Sequence, residues 1–525
     1  MPHFTPTRAL VALTAFILLS FLWTWGLPHQ YVAPVLPALH DLASQGKPTA
    51  GQLLPEPLVE NAGERGKEHG EGTPTTLRTE PVPVPTRAAD VGSDKGCKEV
   101  RGAQDVMVIV RTSRAEVESG PPPHLLKLLA CAHHVLIFSD HEGELNGHPI
   151  HDALESLPDA TIAKHAEFIE YDKMQADKNH KPTLDKAKAL DKWKWLPMVY
   201  KTATMAPNHR FYMFIEPDTS LSWTNLLQWL HRLDYRIPYY SGVPNTIDDT
   251  RYAQRGPGIM LSYGALQQYW PRYEELYASD WEAHVATACC GDVILAHVMK
   301  QARVEFYSSF GLLDPEMPNN MVWGQKFWCT PVVSWHHLPR VDADLLWDTQ
   351  EAWTRKHGWA EPWNHYDAYE TFVKPHLSEQ KEDWDNVSSD TQLVAEKGRR
   401  EKAAQQKQPA TDTPKDPKDA QASPSKFATP TLPKRDEALD TLLQAAADSP
   451  ENCKAICLKT DDCLQWKHTT AGDGVCHLGK ALRLGGKIAT PDKAARWTSG
   501  WVLDRVAKLT EEWGRCERAE WKFNQ

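Results

Sequence analysis

Two carboxylates one residue apart follow a short apolar run near the middle of the chain. The run extends from Phe211 to Ile215, and Glu216 and Asp218 come next, within the sequence Glu-Pro-Asp-Thr. Five apolar residues are too few for a helix and are typical of a strand buried on both faces. Apolar residues then recur at helical spacing as far as Leu233. A strand followed by a helix places both acids at the carboxyl edge of an α/β sheet, where ligands bind, and predicts a metal and phosphate site.

Three acids of this chain also have a purely structural interpretation. Glu216 and Asp218 could form a solvated strand end in which Asp218 caps the next helix. Asp292 follows Cys289 and Cys290 and opens an apolar segment, so it is either a helix N-cap or a carboxylate that accepts a proton. The residues alone leave both interpretations open.

Polar residues follow two earlier strands as well. The apolar run 106–110 leads to Thr112, and the run 135–138 leads to Ser139 and Asp140. A helix predicted over 125–131 lies between the two strands, and a second helix over 185–205 precedes the strand at Phe211. Strand, helix and strand in this order predict a parallel sheet whose polar strand ends line a cleft.

Two further segments could contribute to the same cleft. Gly256 and Gly258 follow Arg255, and glycines at this spacing allow a ligand to approach the backbone, although a plain turn is the commoner explanation. His336 and His337 are adjacent, and alternation along a strand would send only one of them to the cleft.

Composition limits the classes of function. The chain has 525 residues, enough for two or three domains, and a net charge of −11 with no long basic run, so we exclude nucleic acid as a partner. It contains 21 Trp residues, many of them beside polar residues, which is typical of core packing and also of surfaces that stack on sugar rings.

The N-terminus predicts a membrane anchor. Residues 9–27 are uncharged and mostly apolar, about the length that spans a bilayer, and tryptophans lie at the far end. We therefore expect a cytoplasmic tail over 1–8, an uncleaved signal anchor over 9–27 and a Pro-rich disordered stem over 28–96. A cleaved signal peptide is the alternative, and it would make the protein a secreted one.

The remaining chain divides into a head and a smaller module. We predict an α/β head over 97–378, a disordered linker over 379–437, a small domain over 438–510 and a C-terminal tail over 511–525. Asn386 begins an Asn-Val-Ser sequon and is a candidate glycosylation site. Four cysteines within 24 residues predict two disulfides in the small domain, and zinc is the rival interpretation. They are Cys453, Cys457, Cys463 and Cys476.

Taken in order, the motifs between Asp105 and Leu377 resemble the Fringe-type β-1,3-glycosyltransferases of glycosyltransferase family 31, most closely the filamentous-fungal members. The matching segments are Val106–Thr112, Phe138-Ser139-Asp140, Glu216-Pro217-Asp218-Thr219, Tyr252–Ser262, Asp292-Val293 and Trp335-His336. The resemblance implies a GT-A-like, Rossmann-like mixed sheet that is mostly parallel and is flanked by helices. It also implies a type II Golgi membrane protein whose luminal head transfers a sugar from a UDP-sugar to a glycan hydroxyl, with inversion and with Mn²⁺ or Mg²⁺.

The same resemblance implies a role for each site residue. Asp218 and His336 would bind the metal ion, Glu216 would reach the metal or the ribose, and Asp292 would be the catalytic base. The other matching positions would contact the nucleotide-sugar, and they are Thr112, Ser139, Asp140, Arg255, Gly256 and Gly258.

Two departures from the family pattern concern the site. Glu216 and Pro217 replace the first and middle Asp of the family's Asp-Asp-Asp-Thr, and Arg255 stands where the family usually has Gly. Arg255 could pair with a diphosphate or narrow the donor pocket. The rival function is a catalytically silent membrane protein that binds carbohydrate or protein through its C-terminal module.

That module resembles a PAN/apple-like domain, an α+β fold stapled by disulfides. The resemblance implies pairing of Cys453 with Cys476 and of Cys457 with Cys463. For the head we also expect Cys329 to pair with Cys289 or Cys290.

Overall fold

The structure is a computed structural model that describes residues 94–395, 437–472, 474–488 and 496–524. The predicted cytoplasmic tail, the anchor at 9–27 and nearly all of the stem lie outside these residues, as does most of the linker. Within the described ranges, no helix is both long and apolar enough to cross a bilayer.

A nine-stranded mixed sheet forms the centre of the head. Strand β1 lies in the middle, with β2 and β5 parallel to it on either side, and the order is β10-β7-β9-β5-β1-β2-β4-β3, with β8 paired to β7. The strands are β1 (Val106–Arg111), β2 (His134–Ser139), β3 (Gly143–Leu145), β4 (His148–Asp152), β5 (Phe211–Ile215), β7 (Tyr239–Ile247), β8 (Thr250–Gln254), β9 (Ile259–Ser262) and β10 (Glu305–Ser308). A small second sheet joins β6 (Ser220–Leu221), β11 (Leu313–Asp314) and β12 (Ser334–Trp335).

Helices cover both faces of the central sheet. In chain order they are α1 (Asp94–Lys98), α2 (Arg114–Glu118), α3 (Pro123–Cys131), α4 (Asp159–Lys164), α5 (Phe168–Ala176), α6 (Leu184–Met205), α7 (Trp223–Leu230), α8 (Tyr263–Leu276), α9 (Glu282–Thr287), α10 (Gly291–Gln301), α11 (Arg340–His357) and α12 (His365–Phe372). The prediction of a mixed α/β fold with a mostly parallel sheet flanked by helices is confirmed.

Strand β5 shows why an unbroken apolar run forms a central strand. Tyr212 and Phe214 pack into a core with α6, α8 and α10 on one face of the sheet. The alternate residues Phe211, Met213 and Ile215 pack into a second core with α3 and α7 on the other face. All five residues are therefore buried, and burial of this kind stabilises by roughly 1.5–3 kcal/mol for each large side chain.

The C-terminal module is built on a five-stranded antiparallel sheet with the order β13-β19-β16-β17-β15. Helices α13 (Glu437–Ala445) and α14 (Pro450–Lys459) pack beside it, and disulfides join Cys453 to Cys476 and Cys457 to Cys463, as the resemblance implies. The strands are β13 (Lys381–Glu382), β15 (Thr391–Val394), β16 (Gln465–Thr469), β17 (Val475–Gly479) and β19 (Trp497–Trp501), and a separate pair joins β14 (Trp384–Asp385) to β18 (Gly486–Lys487).

The predicted start of the linker at residue 379 is wrong. Strands β13 and β15 come from the segment 379–395, and they form the two edges of the C-terminal sheet, where β13 pairs with β19 and β15 pairs with β17. The sequence there is polar and short of apolar periodicity because both strands are edges, where the backbone rather than the side chains makes the contacts. The module therefore includes chain from both sides of the linker.

The prediction of a glycan on Asn386 is also contradicted. Asn386 is fully buried, and its amide nitrogen donates hydrogen bonds to the backbone oxygens of Trp466 and Gly500 at 3.0 and 3.3 Å. A glycan would replace one of the two hydrogens on this nitrogen, so one of these hydrogen bonds would be lost, and it would need space that the core fills.

The C-terminal tail is part of the fold. Helix α15 (Leu503–Trp513) leads to Cys516, which pairs with Cys329 of the head, so the expected pairing of Cys329 with Cys289 or Cys290 is wrong. Beyond it, Trp521 and Phe523 pack against the core of the head. The pairing joins cysteines 187 positions apart and could not be read from sequence spacing.

Candidate metal centre

Glu216, Asp218 and His336 converge at the carboxyl end of β5, and we call these three residues the acid–imidazole cluster. One ligand atom from each lies within 4.8 Å of the others. The Nε2 atom of His336 lies 3.3 Å from Asp218 Oδ2 and 3.6 Å from Glu216 Oε2. His337 turns away, with a φ of 60° and its Nδ1 atom 3.1 Å from the backbone oxygen of Pro315. The preference for His336 over His337 therefore agrees with the structure.

A glycine makes room for the imidazole. A Cβ atom on Gly256 would lie only 2.2 Å from Cε1 of His336, so the absence of a side chain lets the ring reach the two carboxylates. Thr219 holds the facing loops together, because its hydroxyl donates to the backbone oxygen of Gly256 at 2.7 Å and accepts from the backbone nitrogen of Glu216. Gly256 thus supports the cluster through the histidine.

Gly258 has a backbone role instead. Its φ is +105°, which favours glycine, and an added Cβ would lie 2.4 Å from Met213 Cε. This contact is with the core side of β5. Gly258 is therefore required for packing against β5. Its predicted contact with the nucleotide-sugar stays a prediction.

Two arginines neutralise one oxygen of Glu216. Oε1 accepts hydrogen bonds from Arg111, which is itself buried, and lies 3.0 Å from Nε of Arg255. Burial raises the pKa of Glu216, but Arg111, His336 and Arg255 together hold it well below its usual range. Glu216 is therefore ionised, and its second oxygen, Oε2, is the one that faces His336.

The donor set suits a hard divalent ion. Two carboxylates and an imidazole are ligands of Mn²⁺ and Mg²⁺, and neighbouring ligands of an octahedral ion about 2.1 Å away lie roughly 3–4 Å apart. The distances from His336 to the two carboxylates fall in this range. Burial lowers the pKa of His336, but Asp218 and Glu216 raise it to about 9, so both carboxylates favour a positive charge at this position.

Asp292 lies in the first turn of α10, beside the cluster. Its Oδ2 accepts a hydrogen bond from the backbone nitrogen of Arg255 at 3.3 Å, and Oδ1 accepts one from the nitrogen of Val293. Asp292 is 5% exposed, and burial raises its pKa, an effect that Arg255 partly opposes. It is not the N-cap of α10, because that position belongs to Cys290.

Thr112 lies in a groove next to the cluster, which we call the strand-end groove. The groove has a volume of about 190 Å³, and its lining includes Thr112, Glu116, His124, Pro217 and Asp218. The Thr112 hydroxyl donates to Glu116 Oε2 at 3.2 Å, and Nε2 of His124 has no hydrogen-bond partner among the described residues. The groove and the cluster therefore share Asp218.

Ser139 and Asp140 do not line this groove, and the structure contradicts their predicted contact with a nucleotide. Both are fully buried. Asp140 accepts hydrogen bonds from Nζ of Lys194 at 2.9 Å and from the backbone nitrogen of Arg114 at 2.8 Å. Burial raises the pKa of Asp140, but Lys194 holds it well below its usual range. At the polar end of β2, Asp140 therefore forms a buried ion pair with a lysine from α6, and this ion pair leaves no carboxylate oxygen open to a nucleotide.

The structure also brings together charged residues that sequence reasoning missed. They form an alternating series, which we call the charge chain, and each member lies within 3.0 Å of the next. Its members in order are Asp140, Lys194, Asp191, Arg111 and Glu216. Two signals in the sequence point to it, since Lys194 stands between two tryptophans of the predicted helix and Arg111 directly follows the apolar run of β1.

Comparison with known proteins adds no relative. No model of a known protein family matches the chain, and no curated protein matches its sequence. The geometry of the acid–imidazole cluster and its surroundings carries the functional argument.

Proposed function

We propose that the protein is an inverting glycosyltransferase that moves a hexose or N-acetylhexosamine from a UDP-sugar to a glycan hydroxyl, forming a β-1,3 linkage. The observation that carries the proposal is the acid–imidazole cluster at the carboxyl end of β5, beside the strand-end groove and next to the buried carboxylate of Asp292. The resemblance of the motifs to Fringe-type glycosyltransferases with a GT-A-like fold supports the same function.

Glu216, Asp218 and His336 would hold Mn²⁺ or Mg²⁺. When bound, such an ion neutralises the charge that develops on the diphosphate leaving group. Arg255, whose side chain is 37% exposed beside Glu216, would contact the same phosphates. Thr112 and His124 supply a hydroxyl and an imidazole in the adjacent groove for the nucleoside.

Asp292 is the proposed base. As the acceptor oxygen bonds to the anomeric carbon, the bond from that carbon to the diphosphate oxygen breaks, and the acceptor proton passes to the Asp292 carboxylate. Attack from the face opposite the leaving group inverts the configuration. Burial raises the pKa of Asp292, which makes it a stronger base than an exposed aspartate.

The cellular setting is part of the proposal. A luminal head on a type II Golgi membrane protein agrees with the four disulfides of the described residues, because disulfides persist in oxidising compartments. The C-terminal module, in this proposal PAN/apple-like, packs on the head and would hold the glycan acceptor.

One observation favours the rival function, a catalytically silent binding protein. Two arginines already compensate Glu216, so the cluster has less negative charge for a cation than two free carboxylates would have. In that case the head would bind a nucleotide-sugar weakly or not at all, and the C-terminal module would bind carbohydrate or protein.

Release of UDP from a panel of UDP-sugars, with added Mn²⁺, tests the proposal. We expect turnover by the wild type and a loss on the order of 10²–10⁴-fold in Asp292→Asn, the usual contribution of a general base. Asp172→Ala, which removes an exposed acid on α5, is the matched control and should keep full activity. UDP binding without turnover would support the rival, and full turnover by Asp218→Ala would refute the metal-dependent mechanism.

A further inference from the structure

Cys289 and Cys290 are the two cysteines that the fold leaves without a disulfide. The chain has ten cysteines, all within the described residues, and the other eight form four disulfides. The Sγ atoms of Cys289 and Cys290 lie 2.6 Å apart. Even carbon atoms, which are smaller than sulfur, rest at roughly 3.5–4.0 Å when they are not bonded. The two sulfur atoms are therefore much closer than a non-bonded pair.

The rest of the protein indicates the redox environment. Four disulfides in a chain of this size mark a protein that matures where thiols are oxidised. Cys289 is exposed, so an oxidant can reach it. Among the described residues, the one group of three or more His, Cys, Asp or Glu side chains close enough to hold a metal ion is the acid–imidazole cluster, which contains no cysteine.

We propose that Cys289 and Cys290 form a disulfide between adjacent residues. The two S–H bonds break, one S–S bond forms, and the two protons and two electrons pass to the disulfide of an oxidoreductase, which becomes a dithiol. The product is a small ring that contains the peptide bond between the two cysteines. This modification site does not depend on the proposed function.

The position of the ring gives it a structural consequence. Cys290 is the N-cap of α10, and its side chain makes no capping hydrogen bond. Asp292 lies two residues further on, and the nitrogen of Arg255 binds its carboxylate. A ring at residues 289 and 290 fixes the backbone where the chain enters α10, and it thereby limits the movement of the turn that carries Asp292.

Counting thiols tests the proposal directly. The full chain is purified without reductant, denatured, alkylated with iodoacetamide and digested so that Cys289 and Cys290 remain in one peptide. We expect no alkylation of this peptide and a mass lower than that of the dithiol by two hydrogen atoms. Alkylation of both cysteines would overturn the proposal. In Cys289→Ser we expect a single alkylated thiol at Cys290, with the other four disulfides intact.

Hydrogen exchange tests the consequence for α10. In the double variant Cys289→Ala/Cys290→Ala, which adds no capping side chain, the amides of residues 291–294 should exchange several-fold faster, while those of α14, which lies in the C-terminal module, keep their rates. Unchanged exchange at 291–294 would show that the ring does not hold the start of α10. Neither readout requires turnover, so failure here is distinct from failure of the proposed function.

Discussion

Asp140 follows strand β2, Glu216 and Asp218 follow strand β5 on the other side of β1, and the carboxylates at these two strand ends have opposite surroundings. Asp140 has no exposed surface, and the ammonium group of Lys194 and a backbone N–H saturate it. Half of the Asp218 side chain is exposed, and its nearest charged neighbour is the imidazole of His336. One strand end is closed by the protein itself, and the other is open to a ligand.

The difference indicates that different residues of this fold determine its stability and its ligand binding. The charge chain connects the two strand ends, so Glu216 belongs to the structural network through Oε1 and to the open cluster through Oε2. Removing a buried partner from the closed end leaves uncompensated charge. Asp218 at the open end is half exposed, so its removal should cost far less stability, and stability and ligand binding should respond to different substitutions.

The largest loss of stability should come from removing the buried ammonium group of Lys194 at the end of β2. Lys194→Met leaves Asp140 and Asp191 without their ammonium partner, and loss of one member of a buried ion pair costs roughly 3–5 kcal/mol. Asp218→Asn should change the free energy of unfolding by about 0.5 kcal/mol or less, since the site is half exposed. Denaturant unfolding measures both, and equal losses in the two variants would break the comparison.

A second prediction uses pH. The folded pKa of Asp140 is lowered, so its contribution to stability is present above the unfolded value of about 3.9 and is lost as the pH falls towards the folded value. Asp314, which ends β11, is buried with no cation beside it, and burial raises its pKa to about 7. Because its folded form holds the proton more tightly, its contribution is present at low pH and is lost as the pH rises from about 4 to 7.

Asp314→Asn isolates this second effect. Against the wild type, the variant should gain stability progressively from pH 4 to pH 7, by roughly 4 kcal/mol at most. The neighbouring His365, 4.0 Å away, has a pKa lowered to about 4 by burial and gives the wild type an opposite slope in the same range. The difference curve is therefore the quantity to measure, and a flat one would contradict the assignment.

A smaller loss of stability should come from adding a side chain at Gly256, beside the acid–imidazole cluster. Gly256→Ala puts a Cβ against the His336 ring, which we expect to cost about 1–3 kcal/mol and to weaken Mn²⁺ binding at least tenfold, because the imidazole must move. Gly324→Ala is the matched control, since nothing lies within 4 Å of its Cβ position. Calorimetric titration of Mn²⁺ into both variants makes the test. Equal affinities would show that the ring position does not matter.

Periodicity in the sequence predicted the elements that carry the site. The strand at Phe211 to Ile215 and the helix ending at Met205 match β5 and α6, because an unbroken apolar run and a long helical segment are local signals. The contacts between residues far apart in the chain were not predicted. Nothing in the order of residues shows that Lys194 crosses to Asp140, or that Arg111 and Arg255 share one oxygen of Glu216, since these contacts exist only after the elements pack.

The C-terminal module shows the same limit. The two disulfides that the structure contains are those that the resemblance to a PAN/apple-like domain implies, whereas the four cysteines by themselves left three pairings open. The polar segment 379–395 gave no strand signal, since edge strands of two to four residues owe their position to the sheet that they join. The partner of Cys329 lies 187 positions away, and the two cysteines meet only after the C-terminal segment has packed on the head.

Mn²⁺ binding to the open strand end tests the central claim most directly. Titration of the wild type, in the presence of UDP, should show one Mn²⁺ for each chain. Asp218→Ala should show no binding over the same concentration range, while Asp172→Ala binds as the wild type does. If Asp218→Ala bound Mn²⁺ with unchanged affinity, or the wild type bound none, the acid–imidazole cluster would not be a metal site.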